Sequence, residues 1–63
     1  MLHIWHKADP DAQATPVRSP ADLQGRSGVV RVQGDEATTE AQRMHWAIAL
    51  GLFAARGGDV RWL

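Results

Sequence analysis

Histidines, carboxylates and serines are the side chains of this sequence that could do chemistry. A metal site needs ligands on one face, but His3 and His6 would project to opposite faces of a strand. His45 is followed one helical turn later by Ala49, which offers no ligand. The amino terminus and His3 supply nitrogen atoms for adventitious Cu(II) or Ni(II) binding at most. We therefore expect no functional metal and no cofactor.

None of the short motifs that organise catalysis occurs in the sequence. The Gly25–Gly28 segment does not match a phosphate-binding loop, and Gly34-Asp35 lacks the lysine and the Ser or Thr that such a loop requires. No serine lies in a Gly-x-Ser-x-Gly turn, and no two carboxylates are placed to face each other across a cleft. We expect no catalytic residue and no enzymatic activity.

One set of residues has the chemistry of a nucleic-acid contact. Trp5, Arg31 and Arg61 would share a face of the predicted sheet, where a tryptophan can stack on bases and arginines can neutralise phosphates. However, seven acidic residues balance seven basic ones, and the formal net charge is zero. Nucleic-acid readers are usually basic, so the composition argues against this function.

Three acids near the start of the predicted long helix could imitate phosphates in a basic groove. They are Asp35, Glu36 and Glu40. Acids at a helix start are also expected for stability alone, because they complement the helix dipole. Both polar sets belong to an alternative function, a small homodimeric regulator that contacts or mimics nucleic acid.

Hydrophobic alternation, caps and glycines predict five elements in the order β-α-β-α-β. Their predicted ranges are Leu2–His6, Ser19–Gly25, Gly28–Gln33, Thr39–Arg56 and Asp59–Leu63. Residues 7–18 contain two prolines and no apolar period, which predicts a long irregular loop. We expect one α/β domain of the α+β type over residues 1–63, a two-layer sandwich of a three-stranded sheet with one long and one short helix.

Local signals define the ends of the two predicted helices. Ser19 before Pro20 indicates an N-cap followed by a proline at the first helical position. Thr39 and Gln42 form a capping-box pattern at the start of the long helix. The Gly57-Gly58 pair should end that helix.

The long helix is apolar on two separate faces. At about 100° per residue, the faces lie about 150° apart. We expect the first face to pack on the sheet, and the second to be either a small extra core under the 7–18 loop or an interface. The first face comprises Ala41, Met44, Ile48, Leu52 and Ala55, and the second, which we predict to bind a partner, comprises Trp46, Leu50 and Phe53.

Size and composition set the expected function. The chain has 63 residues, no cysteine, an arginine-rich composition typical of bacterial or phage genomes, and no membrane-length apolar run. Compact cysteine-free proteins that inhibit host machinery, including anti-CRISPR proteins, resemble it in general terms. We expect a non-enzymatic protein of phage or mobile-element origin that binds and blocks a larger host protein in the host cytoplasm.

Overall fold

The computed structural model describes residues 1–63 as a four-stranded mixed sheet with one long helix against one face. The elements are β1 His3–Lys7, β2 Thr15–Pro16, the 3₁₀ helix Pro20–Leu23, β3 Val29–Gln33, α1 Glu40–Ala55 and β4 Asp59–Trp62. The sheet has the order β2-β1-β3-β4; β1 runs antiparallel to both its neighbours, and β4 runs parallel to β3. The predicted α+β class is confirmed, but the sheet has four strands and the second helix is a short 3₁₀ helix.

Strand β2 lies inside the segment that was predicted to be an irregular loop. Pro16 pairs with Trp5, and the next amide, that of Val17, donates to the carbonyl of Ile4 at 2.8 Å. Proline is tolerated here because β2 forms the edge of the sheet, where one side of the strand needs no partner. Two paired residues are too few to produce an alternating pattern, so the prediction of a loop was wrong at this point.

Both ends of α1 form as the sequence predicts. The hydroxyl of Thr39 accepts from the amide of Gln42 at 3.2 Å, and the side chain of Gln42 accepts from the amide of Thr39 at 3.0 Å. At the other end, Gly57 has a φ of 92°, and the amide of Gly58 donates to the carbonyl of Phe53 at 3.0 Å. This glycine-dependent ending turns the chain back into β4.

The 3₁₀ helix begins at Pro20, the position that the sequence predicts for the proline. The amide of Asp22 donates to the backbone carbonyl of Ser19 at 3.0 Å. In return, the carboxylate of Asp22 accepts from the amides of Arg18 and Ser19 at 3.0 and 3.2 Å. The acid at the third helical position therefore satisfies the amides that would otherwise be unpaired at this start.

The core lies between the sheet and α1, and it includes inward-facing residues of the strands but not the predicted face of the helix. Ile4, Val30 and Val32 are buried, whereas Trp62, which the alternation of the last strand places on the same face of the sheet, is 53% exposed. On α1, however, Leu50 and Phe53 are buried, while the predicted core face is exposed. Trp46, Ala49, Leu50 and Phe53 follow the spacing i, i+3, i+4, i+7 of a core-facing stripe, and they bring the two aromatic residues of the helix toward the sheet.

His6 is the one buried polar residue of the core. Its Nε2 lies 2.7 Å from the backbone carbonyl of Ser27, and since a carbonyl can only accept, Nε2 carries the proton. The ring meets that of Phe53 edge-on, with 6.2 Å between centroids. The hydrogen bond of His6 therefore connects the turn before β3 to the core.

The structure contains no helix with the length and hydropathy of a membrane-crossing segment.

Candidate functional site

The outer side of α1, which points away from the sheet, carries an exposed apolar ridge. Met44, Ile48 and Leu52 are 66%, 77% and 57% exposed. Their spacing of four residues aligns them along the helix, and we call them the outer ridge. The two charged residues within α1, Glu40 and Arg43, lie beside this ridge rather than on it. A surface helix normally presents charged side chains to water, so the outer ridge is unusual.

A row of small residues runs beside the outer ridge. Ala47, Gly51 and Ala55 follow the same four-residue spacing and are all exposed. At Gly51, nothing lies within 4 Å of the position that a Cβ atom would occupy. Another element could therefore approach the backbone of α1 closely along this row.

A groove between α1 and the 3₁₀ helix extends the apolar surface. Its volume is about 260 Å³, and its lining includes Pro20, Ala21, Leu23, Ile48, Leu52 and Arg56. At one end, Nη2 of Arg56 donates to the carbonyls of Leu23 and Arg26 at 3.0 and 3.3 Å. These hydrogen bonds hold the guanidinium in place without neutralising it, because Arg56 forms no ion pair.

The three residues predicted to bind a partner lie on the other side of the helix. Leu50 and Phe53 are 3% and 0% exposed, and Trp46 is half-buried against the core. In the folded monomer they form the core face, so they are not exposed as the predicted partner-binding face requires. Ala49 is the signal that was overlooked, because it completes the core-facing spacing between Trp46 and Leu50.

The sheet face opposite α1 is not covered by a helix. On it, Trp5 pairs with Arg31 and Arg31 pairs with Arg61, so the structure brings the three nucleic-acid candidates into one row across β1, β3 and β4. Neighbouring strands lie about 4.8 Å apart, so this row is roughly 10 Å long. Trp5 is half-buried and both arginines are exposed.

The charges of this row are only partly available to a ligand. Nε of Arg61 donates to Asp59 at 2.9 Å, whereas Arg31 forms no ion pair. The Trp5 ring lies nearly parallel to that of His3, at 22° and 6.2 Å between centroids. One unpaired arginine beside a partly covered tryptophan makes a modest site for an anionic aromatic ligand.

Among the three candidate acids, Asp35 is occupied by contacts within the chain. Its carboxylate accepts from the amino group of Met1 at 2.6 Å and lies 3.2 Å from Nε2 of His3. The hydrogen bond from that amino group, followed by that from His3, holds the pKa of Asp35 well below its usual range. Glu36 and Glu40 form no ion pair, so they are the members of the predicted acidic patch whose charge is not paired.

Comparison with known proteins does not indicate which of these surfaces binds a partner. No family model matches the chain, and neither curated proteins nor solved structures provide a match. No three potential metal-ligating side chains are grouped together in the structure. The function must therefore be inferred from the outer ridge, the groove beside it and the open sheet face.

Proposed function

We propose that this protein is a non-enzymatic interaction module whose working surface is the outer side of α1. The observation that carries the proposal is the outer ridge, where Ile48 is 77% exposed between two other exposed apolar side chains. Each square ångström of apolar surface removed from water contributes about 25 cal/mol. A second protein chain that covers the ridge would gain this free energy without having to desolvate a charge.

The geometry around the ridge favours a helical or similarly narrow contact. The face from Ala41 to Ala55 is about 21 Å long at 1.5 Å per residue, which matches roughly four turns of another helix. The row of small residues lets a neighbour approach closely, and the groove beside Pro20 can take a bulky side chain. The sequence favours a larger host protein as the partner, with inhibition as the effect of covering its surface.

A charge placed on the ridge tests the proposal. Ile48→Glu should abolish capture of a protein partner by the tagged chain, because binding would bury an unpaired carboxylate. Ala54→Glu is the matched control, since Ala54 is also exposed on α1 but lies off the ridge. Circular dichroism should show both variants folded. Equal capture by wild type and Ile48→Glu would rule out the outer ridge as the working surface.

The row on the open sheet face supports a second candidate function, binding of single-stranded nucleic acid. In that case Trp5→Ala and Arg31→Ala should each weaken binding of a labelled oligothymidine measured by anisotropy, and the affinity should fall with salt. Arg18→Ala is the control, because Arg18 is exposed and lies outside the row. We expect no measurable binding, since the net charge is zero and Arg61 is paired with Asp59. Salt-sensitive binding that requires Trp5 would reverse this ranking.

A further inference from the structure

The outer side of α1 is complementary to itself, and we infer that its occupant is a second copy of this chain, paired antiparallel. This inference rests on the proposed function, because it keeps the outer ridge as the binding surface and names a second copy, in place of a larger host protein, as the chain that covers it. The large side chains of Met44 and Leu52 stand at equal distances on either side of Ile48, and alanines stand at 41 and 55. A two-fold axis near Ile48 would place each half of this face against the other half of its copy.

The row of small residues beside the outer ridge suits a close helix pair. The distance between two packed helices depends on the side chains at their contact. Here the outer ridge supplies the large side chains, and Ala47, Gly51 and Ala55 leave the backbone of α1 accessible next to it. In an antiparallel pair with the two-fold axis near Ile48, the two ridges lie against each other, and the small residues of both copies let the helices approach closely beside them. A glycine in the middle of an exposed helix otherwise has only a cost in stability.

Charge selects the antiparallel direction. At the start of α1, Glu36 and Glu40 outnumber Arg43, whose guanidinium lies 6.0 Å from the centre of the Trp62 ring, and Arg26 and Arg56 lie at the end of the helix. None of these five side chains forms an ion pair. Antiparallel pairing brings the acidic end of one helix near the basic end of the other. The two helix dipoles then point in opposite directions, which is electrostatically favourable. Parallel pairing would instead bring like charges together.

The small size of the chain favours a reversible dimer. The whole chain has an accessible surface of 4404 Å², so a standard contact of about 800 Å² per partner would cover nearly a fifth of it. The groove lined by Pro20 and Ala21 is also lined by Ile48 and Leu52, so it adjoins the outer ridge and can belong to the same contact. We expect a micromolar dissociation constant, which sedimentation equilibrium can measure.

Single cysteines test the arrangement, because the chain contains none of its own. Ile48→Cys should form a disulfide-linked dimer under mild oxidation, since the two copies of this position meet near the axis. Two control variants should stay monomeric. The Met44 positions would be separated by about eight residues of helix, roughly 12 Å, and the Ala54 positions by about 18 Å, both beyond the reach of a disulfide.

Each outcome decides between arrangements. Rapid crosslinking of Met44→Cys at the rate of Ile48→Cys would overturn the antiparallel pairing in favour of a parallel one. A wild-type chain that remains monomeric at millimolar concentration, with no selective crosslinking at 48, would overturn the second copy as the occupant. If Ile48→Glu still abolished capture of another protein in that case, the proposed function would stand. If Ile48→Glu did not abolish that capture either, both the proposed function and the pairing with a second copy would be contradicted.

Discussion

Two positions of α1 show how sharply single residues divide between core and surface. Leu50 is 3% exposed, and Ile48, only two residues earlier, is 77% exposed. Their side chains have equal size and similar hydropathy, so residue type does not decide which one is buried. The decision comes from the neighbours on each face, where Trp46 and Phe53 accompany Leu50 into the core.

Truncating these two side chains should have very different effects. Leu50→Ala should lower the free energy of unfolding by about 2–5 kcal/mol, because it leaves a cavity in the core. Ile48→Ala should change it by less than about 0.5 kcal/mol, since the removed atoms are in water. Urea denaturation at a concentration where the chain is monomeric measures both. Similar losses in the two variants would contradict the assignment of the faces.

Asp35 should make the free energy of unfolding depend on pH in the acidic range. Its pKa is lowered by the amino group of Met1 and then by His3, so its ionised form stabilises the fold at pH values above the unfolded pKa of about 4. This contribution is lost as the pH falls through the lower pKa of the folded state. Asp35→Asn should therefore flatten the loss of thermal stability below about pH 4. Glu36→Gln, which removes no hydrogen bond, should leave the acid dependence unchanged.

At the scale of elements, glycines decide how closely α1 and β4 approach each other. Gly58 begins the return from α1, and a Cβ atom there would overlap the ring of Phe53. Gly51 has no such neighbour. Gly58 therefore allows close packing against Phe53, whereas Gly51 leaves the surface of α1 open.

Alanine at these two glycines should shift stability in opposite directions. Gly51→Ala should stabilise the monomer by about 1 kcal/mol, because alanine favours the helix and meets nothing. Gly58→Ala should destabilise it, because Phe53 must leave its position in the core. Thermal unfolding followed by circular dichroism gives both shifts. A neutral Gly58→Ala variant would show that the approach between β4 and Phe53 is not needed.

The sequence predicted the parts of the fold that have strong local signals, but it did not predict those that depend on packing between distant residues. The Thr39 cap and the Gly57-Gly58 ending of α1 were predicted, because their hydrogen bonds are made between residues that are close in the sequence. Strand β2 was missed, since it depends on pairing with β1 across a turn. The buried side of α1 was reversed, because two apolar stripes were compatible with one helix and only packing with the sheet distinguishes them. For the same reason the residues predicted to bind a partner proved to be those that face the core.

At the scale of the whole molecule, the two surfaces without a covering element lie on opposite sides. The outer ridge is on the helix layer, and the Trp5 row is on the sheet layer. Pairing through α1 would leave both sheet faces pointing outward. A dimer would therefore present two copies of the same polar row, separated by four layers of structure.

The balance of charge should limit solubility near neutral pH. A formal net charge of zero removes the mutual repulsion that keeps chains apart, and the exposed outer ridge gives them a surface for contact. Light scattering at fixed concentration should thus be greatest near pH 7 and should decrease in the Ile48→Glu variant. Scattering that does not change with pH would show that charge is not the limiting factor.

Both ends of the chain lie at the end of the sheet where β3 finishes. His3 pairs with Gln33 on one side of β3, and the amide of Leu63 donates to the carbonyl of Val32 at 2.8 Å on the other side. The two ends are therefore separated by about two strand spacings, roughly 10 Å. A linker of about five residues can join them, so the chain should tolerate circular permutation with new ends opened in the exposed turn between β1 and β2. The same closeness would allow the whole fold to be inserted as a unit into a surface loop of another protein.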